Sequence, residues 1–212
     1  MANYKNIIHW IKKWEGGLSK AQTDEARLNP VPDGSGYHTN KGITWNTWQS
    51  VFGSSADSIK RFYQMSDADW QVIYKKYYWD AIGGDNIKSQ RIADILVNWA
   101  WGSGVYTPSI TIQKIVGAAQ DGIIGKKTIE AINKGNEADI YEKLKNANID
   151  FFDSLSKNPK YAANRDGWFN RLNDLYDNFL KKVIEKKKEI SIAGIIIILA
   201  IVVYIIFTKN KK

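Results

Sequence analysis

Two glutamates, Glu15 and Glu25, stand in the first 129 residues, so acid chemistry that needs a glutamate there has few carriers. Glu15 is the better placed. It closes a segment in which Ile7, Ile8, Trp10, Ile11 and Trp14 recur at helical spacing, and Gly16 and Gly17 follow it. Two glycines stop a helix and leave the backbone open to a close-lying ligand. A carboxyl in the last helical turn faces the negative end of the macrodipole, and Trp14 beside it limits hydration; both disfavour the anion and raise the pKa. A general acid at neutral pH needs that shift. The competing role for Glu15 is an ion pair with a lysine such as Lys12. No cofactor is implied: cysteine is absent, and neither His9 nor His38 has partners at ligand spacing, so no metal site is expected.

The elements that must hold Glu15 are mostly helical by pattern, and the fold class is mainly α. The first segment is an amphipathic helix of the fold, not a secretory signal, because Lys12 and Lys13 interrupt its apolar run. The stretch from Pro30 to Thr44 is rich in Pro, Gly and Asp and predicts turns with a short hairpin. Ser66, followed by Asp67 and Asp69, predicts the cap of a helix with Trp70, Ile73, Tyr74 and Tyr77 on one face. Further helices are expected at about 87–99, 110–116, 127–133, 137–155 and from 165 onward. Eight of the nine tryptophans precede residue 102, which concentrates flat rings, the usual partners of sugar faces, in this half. Trp10, Trp14 and Trp70 fall on apolar faces and are packing residues; Tyr37, Trp45 and Trp101 adjoin turns and are candidates for a saccharide platform.

Composition narrows the partners. With 44% hydrophobic and 25% charged residues the chain is neither disordered nor fibrous. A net charge of +8 suits nucleic acid, an anionic cell wall or a membrane surface. The run ISIAGIIIILAIVVYIIF at 190–207 holds eighteen residues without a charge, long enough for a membrane span. Lysines 181, 182 and 186–188 precede it and Lys209, Lys211 and Lys212 follow, so both flanks are basic and neither orientation is favoured. Removing the three tail lysines leaves +5 on residues 1–189, scattered except for the cluster beside the span, which disfavours nucleic acid as a partner.

The string KKWEGG, followed by PDGSGYHTNKGITWNTW, resembles the signature of the glycoside hydrolase family 108 N-acetylmuramidases. The resemblance implies a lysozyme-like helical domain and makes Glu15 the catalytic residue, with Thr39, Gly42, Ile43 and Thr44 on the family's turn. The chain departs from the pattern at Leu18, where an aromatic residue is usual, and at Tyr37, where glycine is usual. A more distant likeness to phage-type lysozymes aligns Asp33 and Thr39, with 20–31 as an insertion. On it Glu15 protonates the glycosidic oxygen, Asp33 stabilises the anomeric carbon or orients a water, and Thr39 holds that water. Asp33 could equally form an Asx-turn, and Asp24 is the alternative second carboxylate. The run DILVNWAWGSG resembles the family's cleft helix and makes Asn98 a candidate substrate ligand beside Tyr37, His38, Trp45 and Trp101.

The stretch IQKIVGAAQDGIIGKKTIEAIN resembles small peptidoglycan-binding modules, with Gly122, Gly125, Asp121 and Thr128 in turn and capping positions; a purely structural helical hairpin is the alternative. The expected division is a catalytic domain at 1–106, a peptidoglycan-binding-like part at 107–182, and a basic linker, span and tail at 183–212. The implied activity is cleavage of the β-1,4 bond between N-acetylmuramic acid and N-acetylglucosamine in peptidoglycan. A non-catalytic wall-binding subunit and a lytic transglycosylase are the rivals. The span implies residence in the bacterial cytoplasmic membrane as a single pass, with the enzyme acting on the wall side. With no leader to carry it there, either a holin-like partner or a dedicated export route is required.

Overall fold

A computed structural model of the chain describes residues 1–22 and 24–177. Helix α1 (Lys5–Lys13) buries Ile7, Ile8 and Ile11 on one face and ends at Trp14, one residue before Glu15. The chain then runs beside a hairpin of β1 (Thr39–Asn40) and β2 (Ile43–Thr44), which pair antiparallel with Thr39 opposite Thr44. Ser19 donates to the Thr39 carbonyl at 2.8 Å and accepts from the His38 amide at 3.0 Å, so the stretch after Glu15 lies as a partial third strand. The hairpin is the one expected between Pro30 and Thr44.

Two short helices follow that the sequence pattern does not announce. In α2 (Trp45–Phe52) the Thr44 hydroxyl accepts from the Thr47 amide, and in α3 (Ala56–Tyr63) Ser55 does the same for Ser58. Each satisfies an otherwise orphaned helix-end donor. Their inward rings interlock: Trp45 and Trp48 meet Phe62 edge-on, and the Trp48 indole donates to Ser58 Oγ at 3.0 Å. Helix α4 (Asp67–Tyr74) starts with a full capping box between Ser66 and Asp69, as the sequence predicts. It runs into a π turn (Lys75–Trp79) before the chain reaches α5 (Gln90–Ser103).

Helix α5 is the axis of the fold. Every residue from Ile92 to Ala100 is buried, which an element with apolar groups on all sides requires. Helices α6 (Tyr106–Val116) and α8 (Glu137–Ser156) pack on it, and α7 (Lys126–Lys134) closes against both. The loop between α6 and α7 is organised by one buried side chain. Gln113 accepts from the Gly122 amide at 3.0 Å and donates to Asp121 Oδ1 at 2.7 Å and the Ile123 carbonyl at 2.9 Å. This is the physical content of the Gln, Asp-Gly-x-x-Gly and Thr pattern.

The chain divides into two units, Met1–Asp166 and Gly167–Lys212; of the second, residues 167–177 are described and helical. Among the described residues no helix is long and apolar enough to cross a membrane. The span expected at 190–207, with its flanking lysines, lies outside the described residues.

Candidate active site

Glu15 sits where α1, the hairpin turn and the last turn of α5 converge. The Trp101 indole N–H donates to Glu15 Oε1 at 2.6 Å. The other oxygen lies against Gly42: a Cβ built on that glycine would fall 2.0 Å from Oε2 and 2.8 Å from the Trp101 ring. Gly42 itself is solvent-exposed.

The turn that carries Gly42 is held from two directions. Lys41 (φ 47) and Gly42 (φ 75) both take positive φ, the pattern of a tight two-residue hairpin. That conformation is uncommon for a lysine. The Lys41 ammonium donates to the Met65 carbonyl at 2.7 Å, and its own carbonyl accepts from the Trp70 indole at 2.9 Å, fixing the turn against α4.

Behind the carboxyl lies an aromatic wall. The Trp101 ring packs against Trp70, Tyr74 and Tyr78 at centroid distances of 5.1, 5.7 and 4.7 Å. Burial pushes the Tyr78 hydroxyl above its usual pKa, and the Glu15 charge adds to the effect. Tyr78 is the residue that sequence reading misses: helical spacing from Trp70 points to Tyr77, whereas the π turn inserts an extra residue and brings Tyr78 inward.

The competing roles separate in space. Lys12 pairs with Asp67, and Glu25, the other early glutamate, is a surface group whose carboxyl the Lys160 ammonium holds below the usual range. Asp33 forms the Asx-turn: Oδ1 accepts from the Ser35 amide at 2.9 Å and Oδ2 from the Tyr63 hydroxyl at 2.5 Å. The Ser35 and Tyr63 bonds together lower its pKa. Asp24 adjoins His38, which in turn touches Thr39, the residue expected to hold water. Its Oδ2 is 3.8 Å from His38 Nδ1, and that nitrogen is 2.9 Å from the Thr39 hydroxyl. Because His38 Nε2 faces the Ala21 carbonyl at 3.2 Å, Nδ1 of the neutral ring accepts the Thr39 proton.

Residues 8–104 match the family model described as Glycosyl hydrolase 108, and residues 107–173 match one described as Predicted Peptidoglycan domain. Residues 8–104 are thus similar to the glycosyl hydrolase 108 family. The chain is a glycoside hydrolase of the N-acetylmuramidase kind, joined to a peptidoglycan-binding part. A solved structure, described as that of Brucella abortus SagA, shares the fold: TM-score 0.66 at 23% identity, over 84% of this chain and 94% of that one. Among curated proteins none matches.

Within this glycosyl hydrolase 108-like domain several expected ligands prove to be interior. Trp45 is 1% exposed, its ring closed against Phe62, so it offers no face to a sugar. His38 at 0% and Asn98 at 3% are likewise enclosed, with His38 Nδ1 against the Thr39 hydroxyl. Tyr37 keeps a half-exposed ring, edge-on to Tyr63 at 6.1 Å and under the Lys20 ammonium. Trp101 is half-exposed, and its indole N–H is taken by Glu15.

Proposed function

We propose that the glycosyl hydrolase 108-like domain cleaves the β-1,4 bond between N-acetylmuramic acid and N-acetylglucosamine with Glu15 as general acid. The observation that carries this reading is the Glu15 carboxyl, fixed by Trp101 on one oxygen and facing the backbone of Gly42 with the other. Such a group can hand a proton to a glycosidic oxygen lying along the hairpin turn. Asp24 is the better second carboxylate: each aspartate caps its own turn with Oδ1, but Oδ2 of Asp33 accepts from Tyr63 whereas Oδ2 of Asp24 adjoins the His38–Thr39 pair. Asp24 and Thr39 together position the attacking water, and Tyr37 provides an outer aromatic contact.

The peptidoglycan-binding part keeps the enzyme on the wall, and the apolar run at 190–207 anchors the chain in the bacterial cytoplasmic membrane. The test is Glu15→Gln in the full-length chain: the variant should bind sacculi and keep its melting temperature, yet release no reducing ends. Reducing ends at the wild-type rate would refute the assignment, and anhydro-sugar ends from the wild type would make it a lytic transglycosylase.

A further inference from the structure

Between the end of α6 and the start of α7 the peptidoglycan-binding part holds a surface cavity of about 490 Å³. No aromatic ring lines it, so it offers no flat face to a sugar. Its apolar lining is small and aliphatic, with Ala118, Ala119 and Ile123. Ile123 is 70% exposed, and the loop keeps it so. Its amide donates to Asp121 Oδ1 and its carbonyl accepts from the Gln113 side chain, both at 2.9 Å, while the next residue, Ile124, takes the buried position.

Charges of both signs stand around this lining. Asp121 is ionised at neutral pH, because the Ile123 amide and the Gln113 side chain donate to Oδ1 and hold its carboxyl below the usual range. Lys126 and Lys127 contribute two ammonium groups, and among the described residues neither ammonium has an ion-pair or hydrogen-bond partner. Their placement is costly to the helix they open. Cations in a first turn face the positive end of the macrodipole, and α7 has no acidic residue there to offset them. A local rule broken in this way is the mark of a functional position.

We propose that this cavity binds the peptide stem of peptidoglycan and not its glycan strand. Lys126 and Lys127 take a free carboxylate of the stem, Asp121 takes a free amino group through Oδ2, and the alanine methyls lie against Ala118, Ala119 and Ile123. The proposal rests on the reading of residues 107–173 as a peptidoglycan-binding part. Of the two halves of the polymer, only the stem carries both charges on a chain of small side chains. A glycan strand supplies carboxylates at most, and has nothing for Asp121. Because Gln113 fixes the loop before any ligand arrives, little ordering is left to be done on binding.

Amidase digestion of purified sacculi yields both candidate ligands, free stem tetrapeptides and peptide-free glycan strands. Each is titrated calorimetrically into the full-length chain carrying Glu15→Gln, in detergent solution. Glycan strands also have the hydrolase cleft to occupy, so cavity variants decide. Lys126→Gln with Lys127→Gln, both exposed and safe for folding, should weaken tetrapeptide binding about tenfold or more and leave glycan binding unchanged. The charge-matched pair Lys114→Gln with Lys134→Gln, exposed on the same two helices outside the cavity, should leave both affinities within about twofold. Acetylating the amino groups of the tetrapeptide should cost about tenfold. The proposal is overturned if the chain sediments with sacculi but does not bind the tetrapeptide, which leaves the wall-binding reading standing. It is equally overturned if the control pair loses as much as the cavity pair, if glycan binding falls with the cavity pair, or if acetylation changes nothing. A chain that does not sediment with sacculi fails the wall-binding reading itself, and the proposal with it.

Discussion

At the scale of single residues, the site turns on an atom that is missing. Gly42 supplies the bare surface against which Oε2 of Glu15 lies, and its positive φ excludes most side chains independently of space. Gly42→Ala should cost at least about a hundredfold in kcat/KM, because even a small displacement of an acid is amplified in rate. The melting temperature should fall by only a few degrees, as measured by calorimetry alongside the activity assay. A second comparison separates the carboxylates: Asp24→Asn should lower kcat substantially, whereas Asp33→Asn should leave kcat within about threefold and loosen only its turn. Equal losses from both would exclude the assignment of Asp24. The candidacy of Glu15 is legible in the sequence because so few glutamates compete with it. The choice between Asp24 and Asp33 is not, because it depends on which loop folds back toward Thr39. The burial of Trp45 is hidden for a related reason: a tryptophan beside a glycine-rich turn reads as a platform until its neighbour Phe62 is placed.

At the scale of elements, caps and short turns decide what each helix presents. Asp69 closes the capping box of α4 and is also held by Arg61, and the Arg61 contact is the leading cause of its lowered pKa. A carboxyl whose folded pKa is depressed contributes stability above its unfolded value near 4, and loses it as pH falls through the folded value. Asp69→Asn should therefore destabilise the protein by about 1–2 kcal/mol at pH 7, with the difference vanishing as the pH is lowered through the folded pKa of Asp69. Denaturant titrations of both proteins across that range would show it. In the second half, Gln113→Leu should cost about 2–3 kcal/mol, because it strands the Gly122 amide and frees the loop that Asp121 shares. Long periodic helices such as α8 are legible with their ends almost in place. By contrast, α2 and α3 are eight residues each, too short for periodicity to speak, and only Thr44 and Ser55 mark them. The π turn leaves no periodic signal at all, since it is a break in the period.

At the scale of the whole molecule, the expected anchor and the described fold make separable demands. If 190–207 spans a bilayer, the full-length chain should stay with the membrane fraction after alkaline carbonate washing, and a chain ending at Glu189 should be released. Release of both would remove the anchor from the proposal. Protease digestion of intact spheroplasts before lysis would show on which side the hydrolase domain waits. Helix α5 has a further consequence. Its middle is buried from Ile92 to Ala100, its last turn reaches the acid through Trp101, and the wall-binding helices α6 and α8 pack along it. Cutting the chain near Val105 would lay that apolar rod open to water. The two halves therefore do not behave as beads on a flexible linker, and exchanging the second for another would require rebuilding the face of α5 on which α6 and α8 lie.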